Sequence, residues 1–214
     1  MTDPTDSSHP PRIGLAGPFG PFLYALGWFL SAAVFRLIWR LRVIGATNVP
    51  REGGLILASN HASNGDPLLV GSSVRRRIYF MAKQELFNVP ILGPLIKQVN
   101  AFPIRRMERD MGAFRMAQRI LTSGRCLILF PEGTRQKDGN LGRARPGVGM
   151  MAIRTGCRVV PVYVHNSHRL PGLAKLAVVF GQPISPEGET DYQAFSDKVM
   201  AAIGRLKEEH FGAS

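Results

Sequence analysis

Three features of this 214-residue chain predict an α/β fold with a mixed, largely parallel sheet flanked by helices. Short apolar runs rich in Val, Ile, Leu and aromatic residues recur from residue 41 onward, bounded by Gly, Pro or Asn. Longer stretches with helical spacing alternate with them, the order expected of strands that return through helices. Composition agrees: 45% of residues are hydrophobic and 20% charged, enough to bury one sizeable core.

The predicted strands are LRVIG (41–45), GLILA (54–58), RIYFMA (77–82), CLILF (126–130), RVVPVYV (158–164) and LAVVFG (176–181). Pro161 stands inside the fifth run, which marks that strand as an edge or a bulge, since proline supplies no ladder donor. Helices are expected at 67–74, 108–123, 147–155 and 191–209. In such sheets, ligands gather in the loops beyond the carboxyl ends of the strands.

Three segments divide the chain. Residues 1–12 are polar and proline-broken, as disordered termini are. Residues 13–40 form a hydrophobic segment expected to associate with a membrane. Ile13 to Phe35 holds no charged residue, but Pro18, Pro21 and their neighbouring glycines oppose one continuous helix. A helix starting near Pro21 and meeting Arg36 suits an anchor lying in the interface on the cytoplasmic face better than a spanning helix, with a buried core helix as the competing reading. Residues 41–214 form the catalytic-sized domain.

The formal net charge is +12. Nucleic-acid binding is disfavoured, because no recognised binding motif is present and the aromatics sit in apolar runs rather than among the arginines. Arg36, Arg40, Arg42 and the Arg75-Arg76-Arg77 run are expected to face anionic lipid headgroups, at about 1 kcal/mol per residue near such a surface. Cys126 and Cys157 fit no metal-ligand spacing and read as buried thiols. No metal site and no bound cofactor are expected.

The chemistry is concentrated at strand ends. In SNHASNGDP (59–67) His61 leaves an apolar run, and Asp66-Pro67 has the form of a helix start. Small residues between them allow the aspartate to fold back onto the imidazole, fix its tautomer and leave the other nitrogen free to take a proton. The competing reading is a polar turn with an N-capping aspartate. ILFPEGTR (128–135) runs a buried strand into a turn with Pro131 second and Gly133 fourth. That turn puts a carboxylate, a hydroxyl and a guanidinium at the strand's carboxyl end. NAFPIRR (100–106) ends on Arg105 and Arg106, two guanidiniums suited to bidentate phosphate contacts.

In this order, NHASNGD (60–66), AFPIRR (101–106), FPEGTR (130–135) and VVPVYV (159–164) resemble the four motifs of the glycerolipid acyltransferases, in particular the 1-acylglycerol-3-phosphate acyltransferases. The resemblance covers roughly residues 40–185. It implies transfer of a fatty acyl group from a thioester, acyl-CoA or acyl-carrier protein, to the free hydroxyl of a lysophospholipid acceptor. It implies His61 as general base with Asp66 orienting it. Arg106 and Arg135 would grip the acceptor phosphate, and Glu132, Gly133 and Thr134 would bind the acceptor beside them. Val160 and Pro161 would shape the acyl-donor side, and Gly65 would allow a tight turn between base and orienter. Membrane lipids are the implied partners. The chain departs from its relatives at Arg105, where an acidic residue is usual, and at Asn100, where glycine is common. A different lysolipid acceptor, such as lyso-ornithine lipid, or a lipid hydrolase or thioesterase using Ser63, are the alternatives. No G-x-S-x-G elbow accompanies that serine.

Overall fold

The computed structural model describes residues 20–90, 93–94, 96, 100–104, 110–170 and 172–212. Residues 1–12 and the two arginines Arg105 and Arg106 lie outside them. Among the described residues the strands form one sheet: β1 (Arg42–Ile44), β2 (Leu55–Ser59), β3 (Ile78–Lys83), β4 (Ala101–Ile104), β5 (Cys126–Leu129), β6 (Arg158–His165) and β7 (Ala177–Phe180). Their order across the sheet is β1-β7-β6-β2-β5-β3-β4. The five from β6 to β4 are mutually parallel; β7 runs antiparallel to β6 and parallel to β1. The sheet is therefore mixed and mostly parallel.

Helices cover both faces. On one face α1 (Gly20–Ile38) and α2 (Asp66–Ser72) accompany a core containing Leu55, Leu57, Leu69, Val70, Phe80, Ile128 and Val160. On the other, α3 (Met111–Thr122), α4 (Gly147–Thr155) and α5 (Tyr192–Phe211) enclose Ile56, Ile120, Leu127, Val159, Phe195 and Ile203. Alternate residues of β2 thus enter opposite cores, and all five of its residues are buried. That explains why LILAS reads as a continuous apolar run rather than an alternating one.

Several expectations are adjusted. β4 is a strand that was missing from the predicted set, because four residues containing Pro103 carry little strand signal. Asn100, just before it, adopts φ +61° and donates through Nδ2 to the Ile78 carbonyl at 3.3 Å. The backbone there is left-handed, a conformation that glycine adopts without strain and asparagine tolerates. β6 lies inside the sheet, so of the two readings of Pro161 the edge strand fails. Between the Val159–Ile184 bridge and the Val162–Phe180 pair the register slips by one residue. Pro161 sits in that slip, its carbonyl accepting from the Gly181 N–H at 2.9 Å.

The N-terminal segment yields α1, whose indole Trp28 donates to the Gly71 and Val74 carbonyls at 2.9 and 2.8 Å. These bonds fix α1 across the end of α2. No helix among the described residues is long and apolar enough to cross a membrane. Within α1, Gly20, Tyr24, Gly27, Trp28, Ser31 and Arg36 dilute the apolar run. A face made by Leu26, Leu30, Val34 and Leu37, with Phe29 beside it, is nevertheless exposed, Leu37 to 82% and Phe29 to 62%.

Candidate active site

From β2 the chain passes across β5 to reach β3, and from β5 it passes across β2 to reach β6. The two neighbouring strands therefore send their loops in opposite directions and open a crevice between their carboxyl ends. Ala58 and Leu129 are partners in register. The next residues of each strand, Ser59-Asn60-His61 and Phe130-Pro131-Glu132, face one another across that crevice.

Asn60 ends β2. Its amide donates to the Val164 carbonyl at 3.0 Å and accepts from the Val164 N–H at 2.7 Å. A side chain here replaces the next rung of the ladder with β6, which frees the backbone to turn away at His61. Asp66 is the first residue of α2, whose N-cap is Gly65 with no side-chain bond. The capping reading of Asp66 therefore fails. Its carboxylate turns back instead, and Oδ2 accepts from His61 Nδ1, the Ala62 N–H and the Ser63 N–H, each at 2.8 Å. Three donors on one oxygen, two of them backbone, hold the carboxylate and the ring rigidly together. Asp66 is fully buried and His61 is 5% exposed. With Nδ1 engaged, Nε2 has no partner among the described residues, and one face of the ring stacks on Phe130 with centroids 3.9 Å apart.

The Phe130–Gly133 turn closes with the Gly133 N–H donating to the Phe130 carbonyl at 3.0 Å. Gly133 has φ +69°, a left-handed backbone that favours glycine, and the Arg145 side chain packs close beside it. Glu132 is 2% exposed. Its Oε2 accepts from the His61 N–H and its Oε1 from the Gly142 N–H, both at 2.9 Å. Burial pushes this carboxyl above its ordinary pKa, against the lowering influence of those two N–H groups and of His61. Beyond the turn, the Gln136 N–H donates to the His61 carbonyl at 2.7 Å. His61 is thus clasped through both its N–H and its C=O by the 130–136 loop.

Of the residues picked out from sequence, the structure brings together His61, Asp66, Glu132, Gly133 and, in the clasping loop, Thr134 and Arg135. Arg135 makes no hydrogen bond or ion pair among the described residues. Arg106 lies outside those residues. Val160 and Pro161 are buried within the sheet, so any influence they have acts through its shape. Gly65 has φ −79°, an ordinary helical value, and its backbone makes no demand for glycine. Asn60, Gln136 and Phe130 were not among the expected site residues. Only Asn60 carried a signal, an amide at the end of an apolar strand.

The family model described as Acyltransferase matches residues 40–165. This chain belongs to the acyltransferase family. The chloroplastic 1-acyl-sn-glycerol-3-phosphate acyltransferase of Arabidopsis thaliana is 30% identical over 135 residues, 62% of this acyltransferase and 38% of the plant protein. The 1-acyl-sn-glycerol-3-phosphate acyltransferase of Streptococcus pneumoniae is 26% identical over 196 residues, 85% of this chain and 73% of that one. Among solved structures, the 1-acyl-sn-glycerophosphate (LPA) acyltransferase PlsC from Thermotoga maritima superposes with a TM-score of 0.73 at 26% identity. That match covers 88% of this chain and 81% of the other. The acyltransferase spans only 38% and 52% of the first two curated relatives it matches, so their whole-protein activities do not pass to it unexamined.

Proposed function

We propose that this acyltransferase moves a fatty acyl group from an acyl thioester to the free hydroxyl of a lysophospholipid, with 1-acylglycerol-3-phosphate as acceptor and phosphatidic acid as product. The observation that carries this reading is the His61 Nδ1–Asp66 Oδ2 bond of 2.8 Å, set in a loop clasped by the PEGTR turn. With Nδ1 donating to the carboxylate, Nε2 is the basic nitrogen and takes the proton of the acceptor hydroxyl as its oxygen attacks the thioester carbonyl. Collapse of the tetrahedral adduct breaks the C–S bond, and the imidazolium returns its proton to the leaving thiolate. Asp66 offsets the transient positive charge on the ring. The acceptor itself is the nucleophile, so no acyl-enzyme forms.

Arg135, with Arg106, binds the acceptor phosphate in this scheme. Glu132 acts as a positioning residue: both its oxygens already hold backbone N–H groups of two loops. Acyl-CoA or acyl-carrier protein serves as donor. The exposed apolar face of α1 and the exposed arginines at its C-terminal end support residence at the cytoplasmic face of a membrane, where both lipid substrate and lipid product reside. Hydrolysis through Ser63 is less well supported, because its hydroxyl accepts from the Gly65 N–H at 3.2 Å and has no bond to the imidazole.

A thiol-release assay with long-chain acyl-CoA against a panel of lysolipids tests the reading. Release that depends on 1-acylglycerol-3-phosphate is the expected result. Release without any acceptor would instead identify a thioesterase, and dependence on lyso-ornithine lipid would reassign the acceptor.

A further inference from the structure

The Arg75-Arg76-Arg77 run joins α2 to β3, at the amino ends of the parallel strands and so at the end of the sheet away from His61. Its three arginines have different fates. Arg76 is consumed by the fold: its guanidinium donates to the carbonyls of Pro50, Glu52, Gly53 and Gly124, tying two loops together. Arg75 and Arg77 are exposed and meet no carboxylate among the described residues. Both line an open recess of about 370 Å³, together with Arg76 and with Tyr24, Ala25 and Trp28 of α1.

The floor of that recess is fixed. Trp28 is locked by its two bonds to the Gly71 and Val74 carbonyls, and the Tyr24 hydroxyl accepts from the Ile78 N–H at 3.4 Å. The Arg77 guanidinium lies over the Tyr24 ring, 5.3 Å from its centroid, which restrains the side chain without neutralising it. A concave surface with a rigid aromatic floor and two uncompensated guanidiniums is complementary to a compact anion. The same helix that supplies the floor turns Leu26, Phe29, Leu30, Val34 and Leu37 outward, so an anion reaching the recess beside a bilayer would be a headgroup phosphate.

We propose that the recess between α1 and the start of β3 is a binding site for the phosphate of an anionic phospholipid, held by Arg75 and Arg77 over Tyr24 and Trp28. It is separate from the acceptor site and draws the enzyme onto acidic regions of the bilayer. The proposal rests on the reading of α1 as an interfacial helix.

Vesicle co-sedimentation tests it, using phosphatidylcholine alone and phosphatidylcholine containing phosphatidylglycerol. The double variant Arg75→Gln/Arg77→Gln is compared with Arg115→Gln/Arg119→Gln, which removes the same charge from exposed positions on α3, on the opposite face of the sheet from α1. Affinity for the mixed vesicles should fall in the recess variant by about five-fold per arginine removed. The fall in the control should be much smaller, and binding to phosphatidylcholine should not change. Arg75→Lys/Arg77→Lys keeps the charge but loses the guanidinium fork. It should show a smaller loss than the glutamine variant but one still above the control, and it serves as the folded alternative if the glutamine variant is unstable. Equal losses in recess variant and control would reduce the site to diffuse charge and overturn the proposal, as would no loss at all. Competition by inorganic phosphate that stabilises the wild type but not the recess variant, with vesicle binding unaltered, would assign the recess to free phosphate and not to lipid. Acyl transfer to a short-chain, water-soluble acceptor without vesicles should be unchanged in the recess variant. Failure of the catalytic reading would therefore show there, independently of the vesicle result.

Discussion

The Glu132 carboxylate receives the peptide N–H of His61 at 2.9 Å while its other oxygen receives that of Gly142, also at 2.9 Å. One buried side chain therefore sets the position of the His61 backbone relative to the 130–142 loop. Glu132→Gln puts an amide NH₂ against one of these N–H donors, so a buried pair becomes unsatisfied at about 1–3 kcal/mol. The unfolding temperature and kcat should both fall, with the Michaelis constant for the acceptor nearly unchanged. A raised acceptor constant at full kcat would mean that Glu132 touches the acceptor directly.

The same residue gives a pH signature. Burial raises its folded-state pKa above the ordinary value of 4.5. Its contribution to stability is therefore fully present below 4.5 and is lost as pH rises through the folded-state value. The difference in unfolding free energy between wild type and Glu132→Gln should shrink from pH 4.5 toward neutrality, as followed by denaturant titration. A difference that widens over that range would contradict the burial of this carboxyl.

His61→Ala should lower acyl transfer by at least about 10²–10⁴-fold, the usual contribution of a general base, in a protein that still folds. Asp66→Asn should approach the same loss for another reason. An asparagine oxygen can satisfy the Ala62 and Ser63 N–H groups, but its weaker acceptor no longer fixes the imidazole tautomer or balances the imidazolium. Circular dichroism and single-turnover rates separate this from misfolding. Turnover near wild type in His61→Ala would remove the residue from the chemistry.

How much of this was readable beforehand depended on sequence distance. His61 and Asp66 are five residues apart, and the Phe130–Gly133 turn is local, so residue types alone offered the pairing and the turn, while leaving Asp66 open to a capping role that only the structure removed. Strands buried on both faces, such as Leu55–Ser59, announced themselves as apolar runs. The clasp from Gln136 to the His61 carbonyl, the Glu132 brace and the Asn60 rung to Val164 join segments from 71 to 104 residues apart. No local pattern encodes such bonds; they appear only once strand order makes β2 the neighbour of both β5 and β6. Pro161 shows the same limit. Its missing donor predicted a break in pairing, and the break is there, but only the sheet order placed it in the interior.

Asn60 offers a test of that long-range geometry. Asn60→Ala deletes both bonds to Val164 and leaves a buried N–H and C=O without partners, at about 1–3 kcal/mol for each group left unsatisfied. Asn60→Asp preserves the acceptor for the Val164 N–H but sets an oxygen against the Val164 carbonyl. Both variants should lose kcat, Asn60→Asp with a stronger pH dependence, because protonating the new carboxyl restores a donor to that carbonyl. Full activity in Asn60→Ala would show that the turn into His61 holds itself without the rung.

Arg135 follows the clasped turn and makes no hydrogen bond or ion pair among the described residues, which leaves its guanidinium available to an anionic acceptor. Replacing it with alanine should raise the Michaelis constant for 1-acylglycerol-3-phosphate while leaving kcat less affected. A charged, bidentate contact of this kind contributes about 1.5–3 kcal/mol, so the change should be roughly ten-fold or more. A neutral monoacylglycerol acceptor presents no phosphate and should be affected far less by the same substitution. Steady-state kinetics with both acceptors decide the matter, since a residue that merely supports the loop would weaken the two equally, and that outcome would withdraw the phosphate contact from Arg135.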